Sequence, residues 1–231
     1  KRAPGQSAFP GALKVKDQLT IDTNGDGIPD KADGVISGDD TYQFGEMRPH
    51  SNGSFNINAR YKNFDLTANF NYVLGGHIMN VPALTSAYGS KDNRFGANRL
   101  AIVGDAYSPY RWNNGQLELV EDPAELAAMN ANATMHTPTS MVGLLLDNWL
   151  ESASYLRLAN LTIGYTVPQS IVKKVGLKGL RAYFSGNNLF TLTGYSGLNP
   201  EVSTSSATTP GVDNSGYPIA KTFTFGVNIT L

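Results

Sequence analysis

The stretch KTFTFGVNITL, residues 221–231, puts Phe223, Phe225, Val227, Ile229 and Leu231 at every second position. Thr222, Thr224, Gly226, Asn228 and Thr230 fill the positions between them. Successive side chains of a strand point to opposite faces, so this stretch reads as a strand with one apolar and one polar ribbon. The pattern recurs. Residues 54–62 set Phe55, Ile57, Ala59 and Tyr61 against Asn56, Asn58, Arg60 and Lys62. Residues 64–74 set Phe64, Leu66, Ala68, Phe70, Tyr72 and Leu74 against Asp65, Thr67, Asn69 and Asn71. Lys62-Asn63 between these two runs reads as a tight hairpin turn. A third run, residues 155–167, sets Ala159, Leu161, Ile163, Tyr165 and Val167 against Asn160, Thr162, Gly164 and Thr166. The fourth, residues 179–192, is less regular, with Tyr183 beside Phe184 and Asn187-Asn188 in its middle.

The connections alternate in length. A residue or two joins the first two strands, and PQSIVKKVGLK, residues 168–178, joins the third and fourth as a short helical or turn segment. Residues 75–154 and 193–219 are long connections, and residues 1–53 precede the first strand. Long loops alternating with short turns are the pattern of an up-and-down transmembrane barrel with its long loops on one side. The chain thus divides into an outer loop (1–53), a barrel hairpin (54–75), a second long outer loop (76–154) and three further barrel strands (155–231). The alternative is a soluble β-sandwich, a secreted calcium-stabilised adhesin or carbohydrate-binding module, whose strands alternate in the same way. Three features favour the barrel. The polar faces carry Asn and Thr rather than Lys and Glu, the apolar faces end in aromatics such as Tyr61 and Phe64, and a sandwich rarely holds so long an excursion between neighbouring strands.

Composition narrows the function classes. A net charge of −1, with 18 Lys and Arg scattered among 19 Asp and Glu, offers no basic field for nucleic acid. The absence of cysteine removes disulfides and thiolate metal sites. No run approaches the roughly 18 apolar residues of a spanning helix. His50, His77 and His136 stand in separate segments, and no nucleophile elbow or phosphate-binding loop is present, so an enzyme is not expected.

Two segments carry candidate sites. In DTNGDGIPDKAD, side-chain oxygens recur at Asp22, Asn24, Asp26, Asp30 and Asp33, with the Ile28 carbonyl at the seventh position and Gly27 at the turn. That is the spacing of a Ca²⁺ loop, with Asp33 where an EF-hand carries Glu. Asp39 and Asp40 are possible additional ligands. The ion's role would be structural. The second segment, AYSPYRWNNG, residues 106–115, offers Tyr107, Tyr110 and Trp112 for stacking on a sugar ring or a peptide side chain. The lumen-facing Asn69, Asn71 and Asn188 are further substrate candidates. DPAELAAMNANA, residues 122–133, reads as a short helix begun by Asp122 and Pro123.

The runs ASYLRLANLTIGYTVP, GLRAYFSGNNLFTLTGYSGLNPEV and YPIAKTFTFGVNITL, with PGALKVKD, DTNGDGIPDKAD, ISGDDTYQFGEMRP and GSFNINARYKNFDL before them, resemble the C-terminal part of the SusC/RagA family. These are TonB-dependent outer-membrane transporters of Bacteroidetes. The resemblance implies an all-β fold, the C-terminal strands of an antiparallel transmembrane barrel of about 22 strands with long extracellular loops. It implies import of oligosaccharides or peptides across the outer membrane, a SusD-like surface lipoprotein as partner, and energy from a TonB complex that contacts a region upstream. It also implies that Phe223, Phe225, Val227, Ile229 and Leu231 form the membrane-assembly signal, with Leu231 where the family usually has Phe. Five tilted strands cannot close a barrel, so the chain is expected to be the last quarter or so of a longer transporter.

Overall fold

The computed structural model describes residues 11–88, 99–138, 147–201 and 211–231. In chain order its strands are β1 (Leu19–Ile21), β2 (Lys31–Ala32), β3 (Ser51–Tyr61), β4 (Phe64–Leu74), β5 (His77–Asn80), β6 (Tyr110–Asn113), β7 (Gln116–Leu119), β8 (Leu150–Ser152), β9 (Tyr155–Thr166), β10 (Gly179–Thr193), β11 (Val212–Asp213) and β12 (Thr222–Thr230). The α-helices are α1 (Val81–Tyr88), α2 (Pro123–Met129) and α3 (Gln169–Val172). They fall into two compact units, one of residues 1–44 and 83–147, the other of residues 45–82 and 148–231.

The second unit is built on a five-stranded antiparallel sheet in the order β12-β10-β9-β4-β3. Its members are the five alternating runs of the sequence. Lys62 adopts φ 52° in the β3–β4 turn, the left-handed geometry a two-residue hairpin requires. The strands run from 9 to 15 residues, enough for the roughly 9–11 residues that a tilted strand needs to cross a bilayer. Both short turns share one end of the sheet with the finish of β12. There the Thr166 N–H donates to the Asn63 carbonyl at 2.8 Å, Val167 N–H to Leu180 at 2.8 Å, and Lys178 N–H to Thr230 at 2.8 Å. The long connections leave from the other end.

Register explains the irregular fourth run. Asn69 of β4 lies opposite Asn160 of β9, but the next pair is Phe70 with Leu158, so Ala159 has no partner on β4. On the other side, Asn187 pairs with Asn160 and Phe190 with Leu158, leaving Asn188 and Leu189 as extra residues on β10. Asn188 takes φ 52° there, a conformation Asn tolerates better than most residues. Beyond this bulge the parity of β9 reverses. Leu161, Ile163 and Tyr165 carry the apolar face on one side of it, and Leu158 and Leu156 carry it on the other. Ala159, expected on the apolar face, is the bulge residue. Without the offset, Arg157 would share a face with Leu161 and Ile163. With it, Arg157 turns to the polar face, in register with Asn71 of β4.

The apolar face is bare. Phe225 is 79% exposed, Phe223 60% and Ile57 50%, with Phe55, Phe64, Ile163, Val227 and Ile229 also exposed. In a sandwich this face would be covered by a second sheet. Among the described residues none covers it, and the sandwich expectation falls. Phe55 stacks on Phe70 at 4.9 Å between centroids, and Phe64 packs on Tyr165 at 4.7 Å, so the aromatics form rows across the strands.

At the long-loop end of the same unit, β11, β5 and β8 form a three-stranded sheet. β11 pairs parallel to β5 through Val212–Met79 and Asp213–Asn80, and β8 pairs antiparallel to β5. Ile78, Ala153 and Tyr195 form its buried centre.

The first unit is built of shorter pieces. β1 and β2 pair antiparallel around the Asp-rich loop, so the segment expected as plain loop carries a small ribbon. The Gly11 carbonyl accepts from the Thr137 N–H, and the Met135 carbonyl from the Tyr107 N–H, each at 2.8 Å. β6 and β7 form a hairpin, followed by α2, where the Asp122 carboxylate caps the Glu125 N–H at 2.8 Å and Leu126 is buried. The expected helix is present but ends at Met129.

Candidate functional site

The polar face of the five-stranded sheet is a hydrogen-bonded ladder of small uncharged side chains. Asn160 Nδ2 donates to Asn187 Oδ1 at 2.8 Å and to Ser185 Oγ at 3.0 Å. Thr162 and Ser185 hydroxyls lie 2.9 Å apart, and Asn187 donates to the Thr222 hydroxyl at 2.9 Å. Thr67 donates to Asn58 at 2.9 Å. Asn69 and Asn71 share this face, half-buried, in register with Asn160 and Arg157. Asn188 does not join them. As the bulge residue it donates to the Ala220 carbonyl at 3.2 Å and ties β10 to the segment before β12.

Toward the short-turn end, Arg181 of β10 reaches past β9 to Asp65 of β4, with Nη2 to Oδ2 at 2.5 Å and Nε to Oδ1 at 3.1 Å. The strand between them carries Gly164. A Cβ there would lie 2.6 Å from both Arg181 Cζ and Asp65 Oδ1, so any larger residue would push the ends of these two side chains off their present path. Gly226 makes the equivalent space for the Tyr183 ring.

At the long-loop end stands the one charge the bulge turned inward. The Arg157 side chain is 6% exposed. Its Nη1 donates to Glu201 Oε2 at 2.5 Å, Nη2 to Asn199 at 2.8 Å and Nε to the Thr191 hydroxyl at 3.1 Å. Its guanidinium lies 5.2 Å from the centre of the Tyr155 ring. Next to this sits a second polar group. Glu151 accepts from Asn80 Nδ2 at 2.8 Å, from the Ser196 hydroxyl at 2.7 Å and from the Ser196 N–H at 2.6 Å. The buried Tyr195 hydroxyl donates to Asp213 at 2.6 Å. Burial and that carboxylate raise the Tyr195 pKa far above its ordinary value, so the hydroxyl stays a donor. These bonds join residues 80, 151, 195–201 and 213 across two long connections. The sequence motifs did not reveal the group. Its signal was two acids, Glu151 and Asp213, beside two-to-four-residue strands with no periodicity.

In the first unit, the Asp-rich loop turns its acceptors onto its own backbone. Asp22 accepts from the Gly25 and Gly27 N–H groups, each at 2.7 Å, and from that of Asn24 at 3.2 Å. These bonds hold the Asp22 carboxyl below its usual range, led by Gly27. Asn24 accepts from Asp26 N–H at 2.9 Å, Asp26 from Ile28 N–H at 2.8 Å and Asp33 from Val35 N–H at 2.7 Å. Asp30 takes both the N–H and the hydroxyl of Thr23. Among the described residues no three acidic or histidine side chains converge, and the oxygens of the loop accept its own backbone N–H groups. Asp40 accepts from the Gln18 and Ser37 N–H groups at 2.7 Å each and ties the two segments together.

The aromatic segment divides. Tyr107 is half-buried against Gly11. Tyr110 and Trp112 alternate on β6 and stand exposed, Trp112 at 72%, beside Leu119 and Leu117 of β7. On the other side of the hairpin Arg111 pairs with Glu118 and Glu125.

A sheet of membrane-crossing strands, bare and aromatic on one face and polar on the other, is a piece of wall from an outer-membrane type of β-barrel. No family model matches the chain. It is similar to TonB-dependent receptor P3 of Formosa agariphila, at 32% identity across 97% of this chain and 20% of the relative. TonB-dependent receptor SusC of Bacteroides thetaiotaomicron shares 36% over 85 residues, covering 36% of this chain and 8% of SusC. Among solved structures, the RagAB peptide importer in its closed-closed state superposes with a TM-score of 0.58 at 22% identity, over 99% of this chain and 21% of that one. A second RagAB structure gives 0.55 at 24%, over 78% and 17%. The chain belongs to the SusC/RagA family of TonB-dependent receptors. It spans about a fifth of the length of P3, and these relatives are receptors and transporters, not enzymes.

Proposed function

We propose that the full-length protein imports a nutrient across the outer membrane in a TonB-dependent manner, with this chain as part of its barrel wall and outer loops. The observation that carries this is the uncovered apolar face of the five-stranded sheet, opposite a hydrated polar face and joined to relatives that are TonB-dependent receptors. Among the described residues, strands β3 and β12 each pair on one side only. In lipid each unsatisfied backbone group costs several kcal/mol, so both edges pair with further strands, giving a closed barrel of about 22. The long connections face the outside and carry the docking surface for a SusD-like lipoprotein. Oligosaccharides or peptides are the substrates, met by Asn69, Asn71, Tyr110 and Trp112.

The test is made on the full-length protein in its host. Its band in a gel should shift on boiling, protease added to whole cells should cut within residues 76–154 but not 168–178, and a tagged copy should co-purify a surface lipoprotein. A deletion strain should lose growth on one class of oligosaccharide or peptide. A soluble protein whose mobility does not change on boiling would reject the reading.

A further inference from the structure

Charge is segregated along this chain. The two short turns, residues 62–63 and 168–178, carry Lys62, Lys173, Lys174 and Lys178 and no carboxylate. Residues 1–50, 75–154 and 194–221 carry eighteen of the nineteen carboxylates against eleven Lys and Arg. The remaining acid, Asp65, is held by Arg181 with Arg60 opposite it on β3, so it neutralises none of the four lysines. All four are exposed, and the hydrogen bonds between turns and strand ends place them along one edge of the sheet.

That edge also carries exposed apolar side chains. Tyr61 is 71% exposed and Phe64 52%. The segment 169–175 buries Val172 completely and turns Ile171 and Val175 outward. Lys62 Nζ lies 5.3 Å from the centre of the Tyr61 ring. An ammonium above an aromatic ring, beside aliphatic side chains that none of the described residues covers, is how lysine spans the boundary between hydrocarbon and headgroups. Acidic protein surface would complement the lysines but not the bare Ile171 and Val175. A leaflet with anionic headgroups complements both, since basic residues near such a surface are attracted to it within a Debye length.

We propose that the short-turn end is an anionic-phospholipid site, in which Lys62, Lys173, Lys174 and Lys178 hold headgroup phosphates while Tyr61, Phe64, Ile171 and Val175 enter the acyl region. The occupant is the leaflet that meets this end of the barrel. The inference rests on the barrel reading above.

The experiment uses the full-length protein with Phe64→Trp as a reporter, in vesicles of phosphatidylcholine containing one-quarter phosphatidylglycerol. Brominated chains are placed on one lipid or the other. Brominated phosphatidylglycerol should quench the reporter several-fold more per molecule than brominated phosphatidylcholine, and high salt should reduce the difference. Replacing the four lysines with glutamine should abolish the preference, and replacing them with arginine should keep it. Boiling-dependent gel mobility is read on every variant. A correctly inserted wild-type barrel that both lipids quench equally overturns the proposal alone, and so does a preference that survives the glutamine variant. A protein that never forms the barrel overturns both readings.

Discussion

Arg157 and Glu201 form an unequal pair, and the inequality predicts which partner matters more. Arg157 is 6% exposed and Glu201 52%. Removing Arg157, as in Arg157→Met, frees a carboxylate that already reaches water and keeps an unbranched chain in the pocket. The loss is a few charge-assisted bonds, discounted for solvent at Glu201, or about 1–1.5 kcal/mol. Removing Glu201, as in Glu201→Ala, leaves a guanidinium buried among Asn199, Thr191 and Tyr155 without its counter-charge. Stranding a buried charge costs about 3–5 kcal/mol, and the lower figure applies because two neutral acceptors remain. Amide exchange in the full-length protein reads the opening of this segment directly. Protection at Tyr195, Ser196 and Glu201 should fall about a hundredfold in Glu201→Ala and about tenfold in Arg157→Met, at 1.4 kcal/mol per decade. If Arg157→Met were the more damaging change, the guanidinium would not be a buried charge held by Glu201, and the account of the bulge that places it there would fail with it.

Gly164→Val should break the Arg181–Asp65 pair and lower the yield of boiling-sensitive barrel, whereas Asp65→Asn with Arg181→Gln, which removes both charges together, should lower it less; equal yields for the valine variant and wild type would refute the close approach. Asp22 has its folded pKa lowered by N–H bonds, so its stabilisation is full above about pH 5 and is lost as pH falls through the lowered value, below about 4; protection at Gly25 and Gly27, corrected for the pH dependence of intrinsic exchange, should fall over that acid range and be constant above it. Ca²⁺ binding is proposed for the same loop and requires Asp22 and Asp26 to exchange N–H bonds for metal–oxygen bonds; added Ca²⁺ should then raise protection of residues 22–33 in wild type but not in Asp22→Ala with Asp26→Ala, and no response together with no calcium by elemental analysis would end the idea. Deleting residues 222–231 strips β10 of the nine register pairs it makes with β12 and removes the proposed assembly signal; the full-length protein so shortened should not reach the outer membrane, and normal amounts there would refute both the edge argument and the signal.

The strands were legible because burial on one face imposes a period of two, and that period survives whether the buried face meets protein or lipid. Their content, Asn and Thr against aromatics, separated lipid from a second sheet. The bulge was not read from the pattern, although the chain contained its sign. Strict alternation through residues 155–167 puts Arg157 on the same face as Leu161 and Ile163, turning a charge toward lipid near the long-loop end, where the cost is about 0–1 kcal/mol. A register change between 157 and 161 turns that charge inward, and Asn187-Asn188 on the facing strand supplied residues able to take the left-handed turn. The Asp-rich loop reads two ways for a different reason. Asp, Asn and Gly at alternating positions serve a metal through outward oxygens and serve a turn through Asx bonds to the next amides. Spacing cannot separate the two uses, because the same short side chains at the same positions perform both. The Glu151–Ser196 and Tyr195–Asp213 contacts left no periodic mark at all, since they depend on segments brought together by the strands beneath them. What alternation does fix is where those segments start and end. β4 and β9 deliver Gly75 and Ser154 to the same end of the sheet, where the Gly75 N–H donates to the Ser154 hydroxyl at 2.9 Å. The strand pattern thus determines which loops can meet, and the polar side chains near the strand ends determine how they are joined.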